Sequence, residues 1–467
     1  LQRWKISKES IMSTKSVQPK SPRDVVIVDG LRTPFAKADT KLKTVHPAEL
    51  GRIALRELFA RTNFDPNLVD EVIIGNTGSP SDAVNIGRVV ALGAGVPQRV
   101  SSHTVHRNCA SALESIATGF DKIKAGMAEV VVAGGTESMS QMPLIYSNEV
   151  TKAIAGLGAA RSPVQQLGAL AGLVGADVKS IIGLLTTSPM ARAPYKPRIA
   201  IVEGLTDPFV GKNMGETAEL LAKEWNLSRE DQDKFALQSH QRAVAAMKNG
   251  VMAEEITPVY LPPNFKEVVE QDIGPRDGQS MEALGKLKPI FDRKNGTVTA
   301  GNACPITDGA AMVLVMSREK AEKLGLKPIA RVLSYAFAGL EPERMGLGPV
   351  YATPIALRRA GLEFSDLDCI ELNEAFAAQV LACTAAMESD KFAREKLDLP
   401  KAVGKVDFTK LNVNGGAIAL GHPVGATGTR LVLTLMKQLK RSGKEFGLAT
   451  LCIGGGQGGA MILQNEA

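Results

Sequence analysis

The sequence predicts an α/β protein built from two similar halves, and two observations carry that reading. Short apolar runs alternate with segments of helical periodicity, and the order helix, acidic turn, strand, then helix, glycine, strand, glycine pair occurs once in each half. At 467 residues, 44% of them hydrophobic, the chain buries a substantial core and divides into two or three domains.

Leu1 to Arg23 is polar and basic and is expected to be a disordered leader, readable as an expression scar, an untranslated remnant or a weak organellar presequence. Val25 to Val28 is expected to be a strand, Pro47 to Arg61 an amphipathic helix, Glu71 to Gly75 a second strand and Ala83 to Leu92 another helix. After Cys109, the spacing of Leu113, Ile116, Phe120 and Ile123 predicts a helix that stops at Gly126, ahead of a strand over Glu129 to Ala133. In the second half Pro354 to Ala360 reads as helix, and Asp366 to Leu372 as turn and strand running into Asn373. Ala426 to Arg441 then reads as a helix ending near Gly443, and Leu448 to Ile453 as a strand followed by Gly454, Gly455 and Gly456. The parallel places Cys109 and His422 at corresponding points, each just before a helix.

Composition removes several classes of function. Lys and Arg number 55 against 49 Asp and Glu, a net +6 that suits anionic ligands but falls short of a nucleic-acid footprint, and aromatic residues at 4% are too few for base-stacking platforms. Five cysteines without metal-ligand spacing argue for a reducing compartment, so no metal site is expected. Val164 to Leu185 is the longest apolar stretch, but Asp177 and Lys179 interrupt it.

The chemistry concentrates in two thiols and one imidazole. Cys109, in His-Arg-Asn-Cys-Ala-Ser, lies at a helix start whose free N–H groups favour a thiolate. His422, in Gly-His-Pro-Val-Gly-Ala-Thr-Gly, is a base that can activate it, and Cys452 is a second thiol able to move protons. Gly454 to Gly456 let the backbone aim N–H groups at a developing oxyanion. The plainer readings differ by residue: Cys369 and Cys383 are small core hydrophobes, Asn373 could cap a helix beginning at Glu374, and His46, His103, His106 and His240 are structural or exposed.

From about Val25 to Leu463 the chain resembles the thiolases. The resemblance rests on Val-Asp-Gly-Leu-Arg-Thr-Pro-Phe at 28–35, the Cys109 block, Ala-Gly-Gly-Thr-Glu-Ser-Met-Ser at 133–140, Gly-Thr-Val-Thr-Ala-Gly-Asn at 296–302, Asn-Glu-Ala-Phe-Ala at 373–377, and the His422 and Cys452 blocks. It implies a thiolase fold: two duplicated βαβαβαββ-type halves in five layers, α-β-α-β-α, with a loop domain. The implied boundaries are 24–140 for the N-terminal half, completed by 263–300, then 141–262 for the loop domain and 301–467 for the C-terminal half.

The resemblance further implies a 3-ketoacyl-CoA thiolase of fatty-acid β-oxidation, with coenzyme A as substrate and no tightly bound cofactor. Cys109 would carry the acyl group, His422 activate it and Cys452 exchange the α-proton. One oxyanion site would use His422 and a water held by Asn373, the other the N–H groups of Cys109 and Gly454. CoA and acyl contacts are implied at Arg276, Asn213, Met214 and Cys304. Asn213 stands where short-chain biosynthetic thiolases carry histidine, and Cys304 where relatives carry serine. The extension 152–197 and the insertion after Asn373 are similar to the β-subunit of fatty-acid-oxidation trifunctional complexes, although that branch has histidine at the position of Asn373. Implied partners are a second copy in a homodimer or dimer of dimers, a hydratase/dehydrogenase α-subunit, and a peripheral membrane contact through 152–197. The expected compartment is cytoplasmic in a bacterium and the mitochondrial matrix in a eukaryote. The alternatives are a biosynthetic acetyl-CoA acetyltransferase and a non-catalytic scaffold of the same fold; Cys452 argues against a ketoacyl synthase.

Overall fold

Which side chains of each strand face which neighbour decides the layering. The computed structural model describes residues 17–146, 148–169 and 198–467. Its main sheet contains β1 (Val25–Arg32), β2 (Ala36–Lys37), β3 (Glu71–Gly75), β4 (Ser101–Val105), β5 (Val130–Ser138), β6 (Thr307–Ser317), β7 (Ala330–Gly339), β8 (Cys369–Leu372), β9 (Phe446–Ile453) and β10 (Gln457–Asn465). Along β5, Val130 and Val132 pack outward while Val131 and Ala133 pack toward the centre, and β1, β6, β9 and β10 alternate in the same way. Both faces are apolar, so both are covered.

The outer face of the first half takes α1 (Pro47–Thr62) and α2 (Ile86–Gly93). The outer face of the second takes α7 (Gly348–Ala360) and α8 (Ala377–Met387). Between the two halves lie α3 (Ser111–Lys124) and α9 (Thr427–Ser442), whose apolar stripes form the central core. Five layers result, as expected.

Strand order exposes the duplication. The path β8-β9-β10-β7-β1-β6-β5-β3-β4 reads outward from the β1–β7 junction as first strand, last, penultimate, second in both directions. At that junction Val26 pairs with Arg331 and Ile27 with Ala330, antiparallel. The central helices touch through backbone: a Cβ on Gly428 would lie 2.3 Å from the Leu113 nitrogen, so only glycine fits.

Some boundaries move for local reasons. The second helix starts at Ile86, because the Asn85 side chain accepts from the Arg88 N–H and caps it. Helix α7 starts at Gly348, with Pro349 in its first turn and Pro354 inside it, whereas Pro354 reads in sequence as a helix start. Residues 17–23, expected within a leader lacking order, are held on the second half: Arg331 donates to the Gln18 carbonyl at 2.9 Å, and Lys20 pairs with Glu466 at 2.7 Å. Residues 1–16 lie outside the described residues.

The chain forms two compact units, Met142–Thr206 and the remainder, so the segment expected as a loop domain, 141–262, is divided between them. The smaller unit holds α4 (Asn148–Ala159) and the strand pair Leu144–Ile145 with Arg198–Ile199. Residues 170–197 of the expected membrane-contacting extension lie outside the described residues. No described helix is long and apolar enough to cross a membrane. In the larger unit, α5 (Met214–Glu224) and α6 (Arg229–Lys248) follow.

Candidate active site

Cys109 stands two residues before α3, on a turn made by Asn108 at a left-handed φ of 45°. The turn is tied by the Ser111 hydroxyl, which donates to the Asn108 carbonyl at 2.7 Å. Asn108 Nδ2 donates to the Gly454 carbonyl at 2.7 Å, and the Gly454 N–H points at the Cys109 sulfur. Burial nonetheless pushes the Cys109 thiol up, against the opposing Gly454 and Cys109 N–H groups. This corrects the expectation from the helix start alone. Desolvation outweighs the helix N–H groups, so the resting sulfur is a thiol and needs a base.

His422 is buried at 6% exposure. Its backbone N–H donates to Thr307 Oγ1 at 3.1 Å, and its Nδ1 meets Thr427 Oγ1 at 2.6 Å. The Thr427 hydroxyl proton is used on the Pro423 carbonyl, 2.9 Å away, so Thr427 accepts from His422 and the imidazole proton sits on Nδ1. Nε2 therefore keeps a lone pair, and no protein group bonds to it. Burial, then the nearby Arg430 cation, lowers the imidazole to about 3, which keeps it neutral and able to accept.

Asn373 directly follows β8, its N–H donating to the carbonyl of Thr450, two residues before Cys452, at 2.9 Å. The side chain is fully buried, yet neither Oδ1 nor Nδ2 has a hydrogen-bond partner. It caps no helix, because α8 begins at Ala377 behind Phe376. A buried amide without any partner costs about 1–3 kcal/mol, so this one is available to bind a small polar group. The loop is anchored by its neighbour Glu374, which accepts from Ser239 Oγ at 2.6 Å and Asn412 Nδ2 at 2.9 Å.

Cys452 is fully buried at the end of β9, against Ala375, Phe376 and Ala378. Burial, then the neighbouring Cys109, Cys383 and Cys304, pushes its thiol well above the usual range, so it holds its proton. Cys304 packs on the same cluster as Met214 and Phe291, and burial pushes it up to about 12. The segment 303–306, through single bridges from Ala303 to Phe376 and from Ile306 to His422, stitches these parts together. Cys304 N–H donates to the Ala375 carbonyl at 3.0 Å, and His422 N–H donates to the Pro305 carbonyl at 3.3 Å.

The remaining expected contacts separate. Met214 Sδ lies 3.3 Å from the Cβ position of Gly454, beside the Cys109 turn. Asn213 spends its side chain on the cap of α5, accepting from Gly215 N–H at 3.0 Å while Glu216 closes the capping box. Arg276 is exposed, with its loop against Ala419 and its N–H 3.3 Å from His240 Nδ1. Beside Phe291, whose ring meets Phe376 edge-on at 6.1 Å, a cleft of about 380 Å³ is lined by Lys212, Lys223, Arg293 and Lys294 together with Glu216, Glu219 and Asp292, the last paired with Lys223 at 2.8 Å. Among the described residues no cluster of three or more His, Cys, Asp or Glu is placed to hold a metal.

Sequence reasoning missed Asn108 and Thr427. For Thr427 a signal existed: a hydroxyl residue in the first turn of a helix, five positions after the histidine. The duplication is also offset from the expected one. Starts at Ser111 and Thr427 pair Cys109 with Gly425 and His422 with His106. Strand registers, Glu71 beside Val131 and Cys369 beside Gly447, pair Asn373 with Gly75 and Cys452 with Thr136. The image of the site thus holds Gly425, Thr136 and Gly75, with no thiol, and one site remains.

Comparisons with known proteins follow the same lines. The family description "Thiolase, N-terminal domain" matches residues 25–319, and "Thiolase, C-terminal domain" matches 326–465. The 3-ketoacyl-CoA thiolase of Yersinia enterocolitica is 41% identical over 443 residues, covering 95% of this chain and 97% of that protein. A crystal structure of human mitochondrial 3-ketoacyl-CoA thiolase in complex with CoA aligns with a TM-score of 0.78 at 36% identity, over 96% of this chain and 99% of that one. The Bacillus anthracis acetyl-CoA acetyltransferase aligns with a TM-score of 0.78 at 35% identity, over 97% and 100%.

Proposed function

This chain belongs to the thiolase family, and from that premise we propose how its own residues divide the reaction. The activity is thiolysis of 3-ketoacyl-CoA by CoA to acetyl-CoA and a shortened acyl-CoA, an acyl transfer through cysteine. His422 Nε2 takes the Cys109 proton, and the thiolate attacks the 3-keto carbon. The C2–C3 bond breaks, and the electron pair leaves on the acetyl-CoA enolate, which takes the Cys452 proton. Cys109 now holds the acyl group as a thioester. The Cys452 thiolate takes the proton of incoming CoA, the CoA sulfur displaces Cys109, and imidazolium returns the proton to the Cys109 thiolate. Every proton is restored after one turnover.

One observation carries this reading: the imidazole of His422, with Nδ1 pinned by Thr427 and Nε2 unpartnered, in a setting that keeps it neutral. The high thiol of Cys452 supports the role of acid, because a proton delivered to an enolate must first be held. The Gly454 N–H, aimed at the Cys109 sulfur, supports an oxyanion site formed with the Cys109 N–H. The unpaired amide of Asn373 supports the second, held through water.

For CoA, the exposed Arg276 and the cations Lys212, Arg293 and Lys294 of the mixed-charge cleft beside Phe291 are offered to its phosphates, and Met214 and Cys304 line the way to Cys109. Asn213 supports this indirectly, by capping the helix that carries Met214. We place a homodimer contact at β4, a strand on the sheet edge. Turnover of 3-ketoacyl-CoA substrates of short, medium and long chain by wild type, Cys109→Ala and Cys452→Ala tests the assignment. Wild type is expected to turn over at least one, with both variants reduced by more than about a thousandfold. Equal rates in wild type and Cys109→Ala would refute it.

A further inference from the structure

Glu137 is one of the most heavily bonded acidic side chains outside the reacting cluster, and the scheme above does not use it. It is 1% exposed at the end of β5. Its Oε1 accepts from Asn76 Nδ2 at 2.9 Å and Gly78 N–H at 3.0 Å; its Oε2 accepts from Thr77 N–H at 3.0 Å, the Thr77 hydroxyl and Gly425 N–H at 2.9 Å. Four of these bonds stay within the N-terminal half. The fifth crosses to the turn that carries His422, three residues before Gly425.

The crossing is built for contact. A Cβ on Gly425 would lie 2.7 Å from Glu137 Oε2, and a Cβ on Gly135 would lie 1.9 Å from the Gly425 carbonyl oxygen, so two glycines admit the approach. Gly425 directly precedes the α9 cap residue, Ala426, and is the duplicate of Cys109. The nucleophile comes from the N-terminal half and the base from the C-terminal half, so their separation depends on bonds between the halves near both. All five partners donate, which only a carboxylate can accept in full.

We propose that Glu137 is the positioning residue through which the N-terminal half fixes the turn that carries His422, so that the base is held in register with Cys109. The inference rests on the reading of His422 as the base. In Glu137→Gln one oxygen becomes a donor, so either Asn76 and Gly78 or Thr77 and Gly425 lose their acceptor. Thr77→Val is the control, since it removes a loop bond and leaves the Gly425 bond in place.

The test measures kcat and KM for thiolysis, with the pH profile of Cys109 alkylation by iodoacetamide, in wild type, Glu137→Gln, Thr77→Val and His422→Ala. The expected result for Glu137→Gln is a kcat lower by about 10- to 100-fold, KM within about threefold, and an alkylation profile moved toward that of His422→Ala. Thr77→Val is expected to keep the wild-type profile. Should Glu137→Gln not fold, the same readings on Glu137→Asp decide, because the shorter side chain cannot span both partners. A wild-type kcat in Glu137→Gln and Glu137→Asp alike, or an equal loss in Glu137→Gln and Thr77→Val with the alkylation profile unmoved, overturns the proposal. An alkylation profile of His422→Ala identical to wild type removes instead the base assignment beneath it.

Discussion

Thr427→Val keeps the branched shape of the side chain and deletes one hydroxyl. In the native site that hydroxyl accepts from His422 Nδ1 at 2.6 Å and donates to the Pro423 carbonyl at 2.9 Å. Without it, the Nδ1–H is buried with no acceptor, at a cost of about 1–3 kcal/mol. The ring escapes that cost by moving its proton to Nε2, which removes the lone pair that deprotonates Cys109. At about 1.36 kcal/mol per decade, the base-competent fraction falls about 5- to 150-fold, and kcat falls with it. KM should change little, because Thr427 is buried beneath the imidazole. The assay is steady-state thiolysis, followed by loss of 3-ketoacyl-CoA enolate absorbance, with Thr427→Ser beside Thr427→Val. Serine keeps the hydroxyl and should recover most of the rate. A kcat in Thr427→Val within about twofold of wild type, or serine no better than valine, would refute the tautomer argument.

Asn373→Ala should lose about 10²- to 10³-fold in kcat, since the buried amide proposed to hold the oxyanion-site water is removed; a kcat within about twofold of wild type would exclude Asn373 from that site. Acid should destabilise the fold through His240, lowered to about 4 by burial and then Arg276. Between pH 6.5 and 4 the unfolded chain binds a proton that native His240 does not, so stability is lost as pH falls, by up to about 3 kcal/mol. Urea unfolding across this range should show a shallower slope in His240→Asn, and an unchanged slope would exclude His240 as a source. His422, lowered to about 3, adds to the loss with the same sign. Gly428→Val should destabilise by about 3 kcal/mol or more, because its side chain enters the Leu113 backbone; a wild-type urea midpoint would contradict the close packing of the central helices.

Particular elements show how far the sequence could be read. The helix after Cys109 was legible nearly to the residue, because a strict apolar stripe runs into a glycine stop. The start of α7 was not, since proline signals a helix start in sequence but is also tolerated inside a helix held by tertiary packing. The cap role of Asn213 was readable from its capping box with Glu216, yet the motif resemblance drew attention to substrate instead. The electrostatics of Cys109 were read with the wrong sign, because a helix start is local while desolvation depends on everything packed around it.

By itself, the sequence determined the fold class and the duplication and singled out the side chains proposed to react, because periodicity, glycine stops and short motifs are properties of neighbouring residues. The tertiary structure alone decided the true offset between the halves, the tautomer of His422, the orphaned amide of Asn373 and the bond from Glu137 to Gly425. The offset, the amide of Asn373 and the Glu137 bond depend on groups tens to hundreds of residues apart in the chain or on exclusion of water, while the tautomer depends on how the folded turn aims the Thr427 hydroxyl, five residues on, at the Pro423 carbonyl.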